Sequence, residues 1–182
     1  MSSVLLPIAD GSEELEVVTI IDVLRRADIN VTVASLTGDI ITGSQGTKIV
    51  PDTSLEAAQA NTYDLVVLPG GLPGTDHLDN DARIHALIKK TVDAGNKVAA
   101  ICAAPKVLAA AGVLEGKRAT CYPSFLDAFG PELVSTGEAV EWDGNVITSR
   151  GPGTAMDFAL TLIEVLIDVE KRNEVEAGLV RT

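Results

Sequence analysis

The chain has 182 residues, 46% hydrophobic and only 3% aromatic, which is enough aliphatic material for one domain to bury a core without disulfides or a structural metal. Its formal charge of −12, from 26 acidic against 14 basic residues and with no cluster of Lys or Arg, argues against nucleic acid and anionic membranes as partners. No apolar run approaches the roughly 18 residues of a membrane span, no basic and apolar leader follows Met1, and two cysteines are too few for a disulfide framework, so a cytoplasmic, reducing compartment is expected.

Short aliphatic runs bounded by Gly, Pro, Asp or Asn alternate with helical periods along the chain. Val4 to Ala9 reads as the first strand. The next segment, Glu13 to Ala27, places Val17, Ile20, Ile21 and Leu24 at helical spacing, and Asp10 with Glu13 is expected to form a capping box at its start. Val31 to Leu36 is the second strand. Gly38 to Val50 interrupts the alternation and is expected to be a hairpin turning at Ser44 to Gly46. Asp64 to Pro69 and Lys97 to Cys102 are the third and fourth strands. Between them Asp81 to Ala94 carries Ile84, Leu87, Ile88 and Val92 on one helical face, with Gly95 as the stop. Ala103 to Ala111 is an Ala-rich helix ended by Gly112. Asn145 to Ser149 is the fifth strand, followed by helices over Gly153 to Ile167 and Glu170 to Leu179. Strands separated by helices imply right-handed crossovers and one mostly parallel sheet covered on both faces, a doubly wound α/β domain spanning residues 1–182.

Such sheets bind ligands beyond the carboxyl ends of their strands. Asp10-Gly11, Pro69-Gly70-Gly71 and Cys102 all fall there. Small residues around Cys102 let the chain turn sharply from strand to helix, with Pro105 in the first helical turn, where its missing N–H costs nothing. A cysteine at a helix start is expected to have a lowered pKa, and the N–H of Ala103 can point at a developing oxyanion. The plainer alternative is a small buried cysteine packed as a hydrophobe. Gly70 and Gly71 supply flexible amides at the same edge, or simply a tight turn. Of Glu13, Glu14 and Glu16, two are expected to be solvated at the helix start. Glu16, near the Ile20 face, is the one expected inside, where burial can keep a carboxylic acid neutral. His77 in a polar loop and His85 in mid-helix read as surface residues, and Cys121, beside Tyr122 and Pro123, as a structural thiol. Two histidines without further well-spaced ligands make no metal site, and Gly151-Pro152-Gly153-Thr154 lacks the lysine and spacing of a phosphate loop.

These motifs together resemble the ThiJ/PfpI superfamily, in the branch of the human Parkinson-disease-associated deglycase and the bacterial chaperone YajL. The matching stretches are Asp10 to Glu16, Asp22 to Ala27, Asp64 to Gly71, Ala99 to Pro105 and Thr148 to Thr154, in order along nearly the whole chain. The resemblance implies a flavodoxin-like three-layer α/β/α sandwich, usually a homodimer. It implies a nucleophilic Cys102 on its elbow, a protonated Glu16 against that sulfur, and an oxyanion site at Gly70, Gly71 and Ala103. The activities it implies need no cofactor: conversion of methylglyoxal-type α-oxoaldehydes to hydroxy acids, repair of glycated side chains, and peroxide-sensing chaperone behaviour through Cys102 sulfinate. Three positions depart from relatives. Tyr122, before Pro123, stands where many members carry histidine, and both residues are pocket candidates. Gln45 replaces a basic residue found in some relatives. Ala103 after Cys102 argues against the peptidase and amidotransferase branches, which need histidine partners.

Overall fold

The computed structural model describes residues 1–181. In chain order the elements are β1 (Ser3–Ile8), α1 (Glu14–Arg26), β2 (Asn30–Ser35), β3 (Ile41–Thr42), β4 (Lys48–Ile49), β5 (Thr53–Ser54), α2 (Leu55–Ala58), β6 (Leu65–Leu68), α3 (Gly74–Asp79), α4 (Ala82–Asp93), β7 (Lys97–Ile101), α5 (Pro105–Ala110), β8 (Val140–Asp143), β9 (Val146–Ser149), α6 (Ala155–Leu166) and α7 (Val169–Gly178). Seven strands form one sheet in the order β5-β2-β1-β6-β7-β9-β8. Every pairing is parallel except that of β8 with β9. The five central strands follow the flavodoxin order, with the switch point between β1 and β6.

The two-residue period of the strands divides the core in two. Val4, Leu6 and Ile8 of β1, with Leu65, Val67, Ala99 and Ile101, face α1, α6 and α7. Leu5 of β1, with Val66, Leu68, Val98 and Ala100, faces α2, α3, α4 and α5. Each fully buried Leu or Ile contributes about 1.5–3 kcal/mol relative to exposure. Because both faces are covered, β6 reads Leu-Val-Val-Leu with no polar position, as expected of a parallel strand inside a sandwich.

The hairpin expected over Gly38 to Val50 is present: β3 pairs antiparallel with β4, and Gly46 at φ 95° makes the turn. The expected capping box is not. Glu13 occupies the N-cap of α1 without a side-chain cap bond. The hairpin lies over the helix start and offers competing donors: Asp10 Oδ1 accepts the Thr42 N–H at 2.8 Å, and Glu13 Oε2 accepts the Ser44 hydroxyl at 2.7 Å. Nor is Glu14 simply solvated. Its carboxylate accepts the N–H groups of Gln45 and Thr47, which holds its pKa down at about 2 against the cost of burial. His77 lies on α3 rather than in a loop, with Nδ1 2.9 Å from the Asp10 carbonyl oxygen. Among the described residues, no helix is long and apolar enough to cross a membrane.

Candidate functional site

Cys102 follows the last residue of β7 and adopts φ 64°, a left-handed conformation that costs a non-glycine residue of order 1–3 kcal/mol. The turn is held by pairing on both sides. The Cys102 N–H donates to the Ser149 carbonyl at 3.0 Å, and its own carbonyl accepts the Tyr122 N–H at 2.8 Å. This sharp elbow lifts the side chain out of the sheet, leaving Cys102 9% exposed among buried neighbours.

Beneath the sulfur lies Glu16, one turn into α1 and fully buried. Its Oε2 accepts the Gly70 N–H at 2.7 Å, and Glu13 fixes the same glycine by donating its N–H to the Gly70 carbonyl at 2.9 Å. Oε1 is buried without a hydrogen-bond partner, and the Cys102 side chain lies against the same carboxyl group. The approach requires glycine: a Cβ on Gly70 would lie 2.6 Å from the Cys102 Cβ and 2.9 Å from Glu16 Oε2. Gly71, at φ 88°, presses against the backbone of Gly11 to Glu13, and its N–H and that of Ala103 point at the Cys102 sulfur.

Burial pushes the Glu16 carboxyl up to about 7, assisted by the charge of Glu13 and opposed by the Gly70 N–H and the Cys102 thiol. Burial also pushes the Cys102 thiol up, to about 12, with the Glu16 charge as the second cause. The Gly71 and Ala103 amides act in the opposite direction. The expectation of a lowered thiol pKa is therefore corrected. The helix proper begins at Pro105 with Ala104 as its N-cap, so Cys102 lies outside the first turn, where the dipole is felt. A neutral Glu16 removes the second of the two causes that keep the thiol protonated.

Above the sulfur is an open cleft of about 260 Å³, lined by Glu13, Ser44, Gln45, Gly71, Leu72, Cys102, Ala103, Tyr122 and Phe125. The structure thus brings Cys102, Glu16, Gly70, Gly71 and Ala103 together, with Tyr122 on the wall. Pro123 belongs elsewhere. It lines an adjoining cleft with Arg150 and Gly151 to Thr154, and Tyr122 separates the two. Leu72 and Phe125 escape the sequence reading because neither lies in a periodic segment. Their signal is apolar side chains in turn-rich stretches, Leu72 beside the glycine pair and Phe125 after Tyr122-Pro123. Cys121 is buried in the opposite core cluster, with Leu126 and Leu108 among its members, and does not line this cleft. No group of three or more His, Cys, Asp or Glu side chains is arranged to hold a metal ion among the described residues.

The architecture and sequence agree with known proteins. The DJ-1/PfpI family model matches residues 2–165. The chain is 45% identical to the Drosophila melanogaster protein dj-1beta, covering 97% of this chain and 96% of that one. It is 37% identical to the Caenorhabditis elegans glutathione-independent glyoxalase DJR-1.2, over 93% and 90% of the two chains. Identity to the Arabidopsis thaliana DJ-1 homolog B is 44%, but the chain spans only 41% of that longer protein. The solved structure of oxidized Toxoplasma gondii DJ-1 superposes with a TM-score of 0.96 at 38% identity, covering both chains fully. This chain belongs to the DJ-1/PfpI family.

Proposed function

We propose that the protein is a cysteine-dependent, cofactor-free glyoxalase acting on methylglyoxal-type α-oxoaldehydes or their adducts on proteins. The observation that carries this reading is the buried Glu16 carboxyl, with one oxygen tied to Gly70 and the other free against the Cys102 thiol at the floor of an open cleft. The 37% identical nematode glyoxalase supports it.

In this reading the Cys102 sulfur adds to the aldehyde carbon, and the thiol proton passes through Glu16 to the aldehyde oxygen, giving a hemithioacetal. The Gly71 and Ala103 N–H groups stabilise negative charge during addition. The Glu16 carboxylate then removes the proton from the former aldehyde carbon. The electron pair moves into the carbon–carbon bond, and the ketone π pair moves onto its oxygen to give an enediolate. That oxygen takes over the hydroxyl hydrogen of the first carbon, while Glu16 keeps the proton it removed. Return of that proton to the neighbouring carbon leaves a thioester, which water cleaves to hydroxy acid and free thiol. Oxidation of one carbon balances reduction of the next, so no external electron acceptor enters. A group near pKa 7 suits both proton transfers. Glu16 is the carboxyl group against the sulfur, so both proton transfers pass through it.

The reading includes a reducing, cytoplasmic setting and a homodimer formed by a second copy of this chain. Leu15 and Val18 on the outer face of α1, and Ile40 and Val50 beside the hairpin, supply exposed apolar surface for it. The test is lactate formation from methylglyoxal by wild type and Cys102→Ala. Lactate from wild type alone supports the reading, and none from wild type overturns it.

A second reading has a specific observation in its favour. A neutral Glu16 is a hydrogen-bond donor beside Cys102, suited to holding a sulfinate oxygen, and the oxidized Toxoplasma protein shares the fold closely. On that reading the protein senses peroxide through Cys102 and acts as a redox chaperone.

A further inference from the structure

Among the described residues that line the Cys102 cleft, Glu13 carries the only charged side chain. Its position is fixed rather than statistical. The Ser44 hydroxyl lies 2.7 Å from Glu13 Oε2 and 3.1 Å from Glu14 Oε2, and Glu14 pins the hairpin by accepting the N–H groups of Gln45 and Thr47. A Cβ on Gly43 would fall 2.6 Å from Glu14 Oε2, so the hairpin seats closely on α1. The wall opposite is Tyr122 and Phe125, polar at most through a phenol. Gln45 contributes a neutral amide. Two basic side chains beside the cleft residues Phe125 and Tyr122 are otherwise engaged: Lys106, whose ammonium lies 6.0 Å from the Phe125 ring centre, is paired with Asp76, and Arg150 opens onto the adjoining cleft and donates to the Gly137 carbonyl. The formal charge of −12 adds a field of the same sign.

We infer that Glu13 is a specificity-determining residue that turns the Cys102 cleft against anionic carbonyl compounds and selects neutral or cationic ones. This inference rests on the glyoxalase reading for its substrate class and deepens it. α-Oxoaldehydes with a second carboxylate or a phosphate are excluded, whereas methylglyoxal and aldehyde adducts beside protonated lysine or arginine side chains are accepted. A carboxylate brought to the sulfur meets the Glu13 charge across a short, partly exposed gap. An interaction of that kind alters anion capture by about three- to tenfold and weakens with salt.

The experiment has two arms. The first measures kcat/KM for n-propylglyoxal and for carboxyethylglyoxal, its counterpart ending in a carboxylate, with wild type, Glu13→Gln and Gln45→Lys. The Gln45 substitution keeps the backbone N–H that Glu14 holds. Any change in Cys102 reactivity common to both substrates cancels in their ratio. Both variants are expected to raise the anionic-to-neutral ratio by about three- to tenfold, and added salt is expected to raise it in wild type. The second arm needs no turnover: it compares the rates at which iodoacetate and iodoacetamide alkylate Cys102, read on the Cys102 peptide by mass spectrometry, against the same ratio for free cysteine. Wild type is expected to disfavour iodoacetate beyond the free-thiol ratio, and Glu13→Gln to move it back toward that ratio. If neither glyoxal is converted, the glyoxalase reading falls and the alkylation ratio still decides the charge inference. Wild-type ratios equal to those of free cysteine, unmoved by Glu13→Gln and by salt, overturn it.

Discussion

The molecule contains two buried thiols in opposite layers, and their surroundings differ in kind. Cys121 is 2% exposed and packs in the core with Leu126, and its N–H is bonded to the Ser135 hydroxyl. Burial raises its pKa, and the side-chain and backbone donors around it only moderate the rise. Cys102 is scarcely more exposed, but it sits on a left-handed elbow, has a carboxyl group against its sulfur, and opens to a cleft. Burial alone makes both thiols inert. What separates them is a partner that can exchange a proton and a path for a reagent, so reactivity here is a property of placement rather than of thiol acidity.

The sharpest way to break the comparison is to remove each thiol in turn. Cys102→Ala is expected to reduce lactate formation to the uncatalysed background. Cys121→Ala is expected to keep turnover near wild type while losing about 1 kcal/mol of stability in urea unfolding. Equal losses of activity in the two variants would erase the distinction.

Next in size is the proton carrier. Glu16→Gln keeps the shape and a donor toward the sulfur but cannot exchange a proton, so turnover is expected to fall about 10²–10⁴-fold while peroxide still oxidises Cys102. Unchanged turnover would shift the proton transfer to another group, with Tyr122 next in line on the cleft wall.

The same carboxyl group predicts a pH dependence of stability. Its pKa is about 7 in the fold against an ordinary 4.5, so the folded state holds the proton more tightly. That stabilisation is complete below pH 4.5 and is lost as pH rises through 7. Its size is about 3 kcal/mol. Urea unfolding at pH 5 and pH 8 is expected to show this loss in wild type and not in Glu16→Gln. Parallel pH profiles in the two proteins would mean that Glu16 is not buried as described.

A smaller effect is expected at the glycine that carries the contact. Gly70→Ala places a methyl group against Cys102 and Glu16 and is expected to cost about tenfold in kcat/KM together with about 1–3 kcal/mol of stability. Wild-type kinetics in this variant would show that the close approach is not needed for positioning.

Much of the fold was legible in the sequence because a parallel sheet covered on both faces writes itself as aliphatic runs. All five expected strands are present, with ends shifted by at most one residue. The edge strands β5 and β8 were not legible. Thr53–Ser54 is too short to show a period, and Val140–Asp143 mixes Glu, Trp and Asp because one face of an edge strand meets water. The short helices α2 and α3 lack a full amphipathic repeat for the same reason of length. At the site, the Cys102 elbow and the Gly70-Gly71 turn are local features and could be read directly. The link from Glu16 to Gly70 joins residues 54 positions apart, and the sequence supported only the inward direction of Glu16. The Asp10–Glu13 capping box failed because hairpin donors, which arrive through tertiary packing, compete for those same oxygens. The helix-start argument for Cys102 failed by a shift of two residues, from Ala103 to Pro105, which matters because a dipole effect fades within one turn.

The claim that one of two buried thiols is the chemical centre is tested most directly by exposing the folded protein to limiting peroxide and measuring both cysteine peptides by mass spectrometry. The account predicts sulfinate on Cys102 while Cys121 remains a thiol. Oxidation of Cys121 before Cys102, or of both at equal rates, would contradict it.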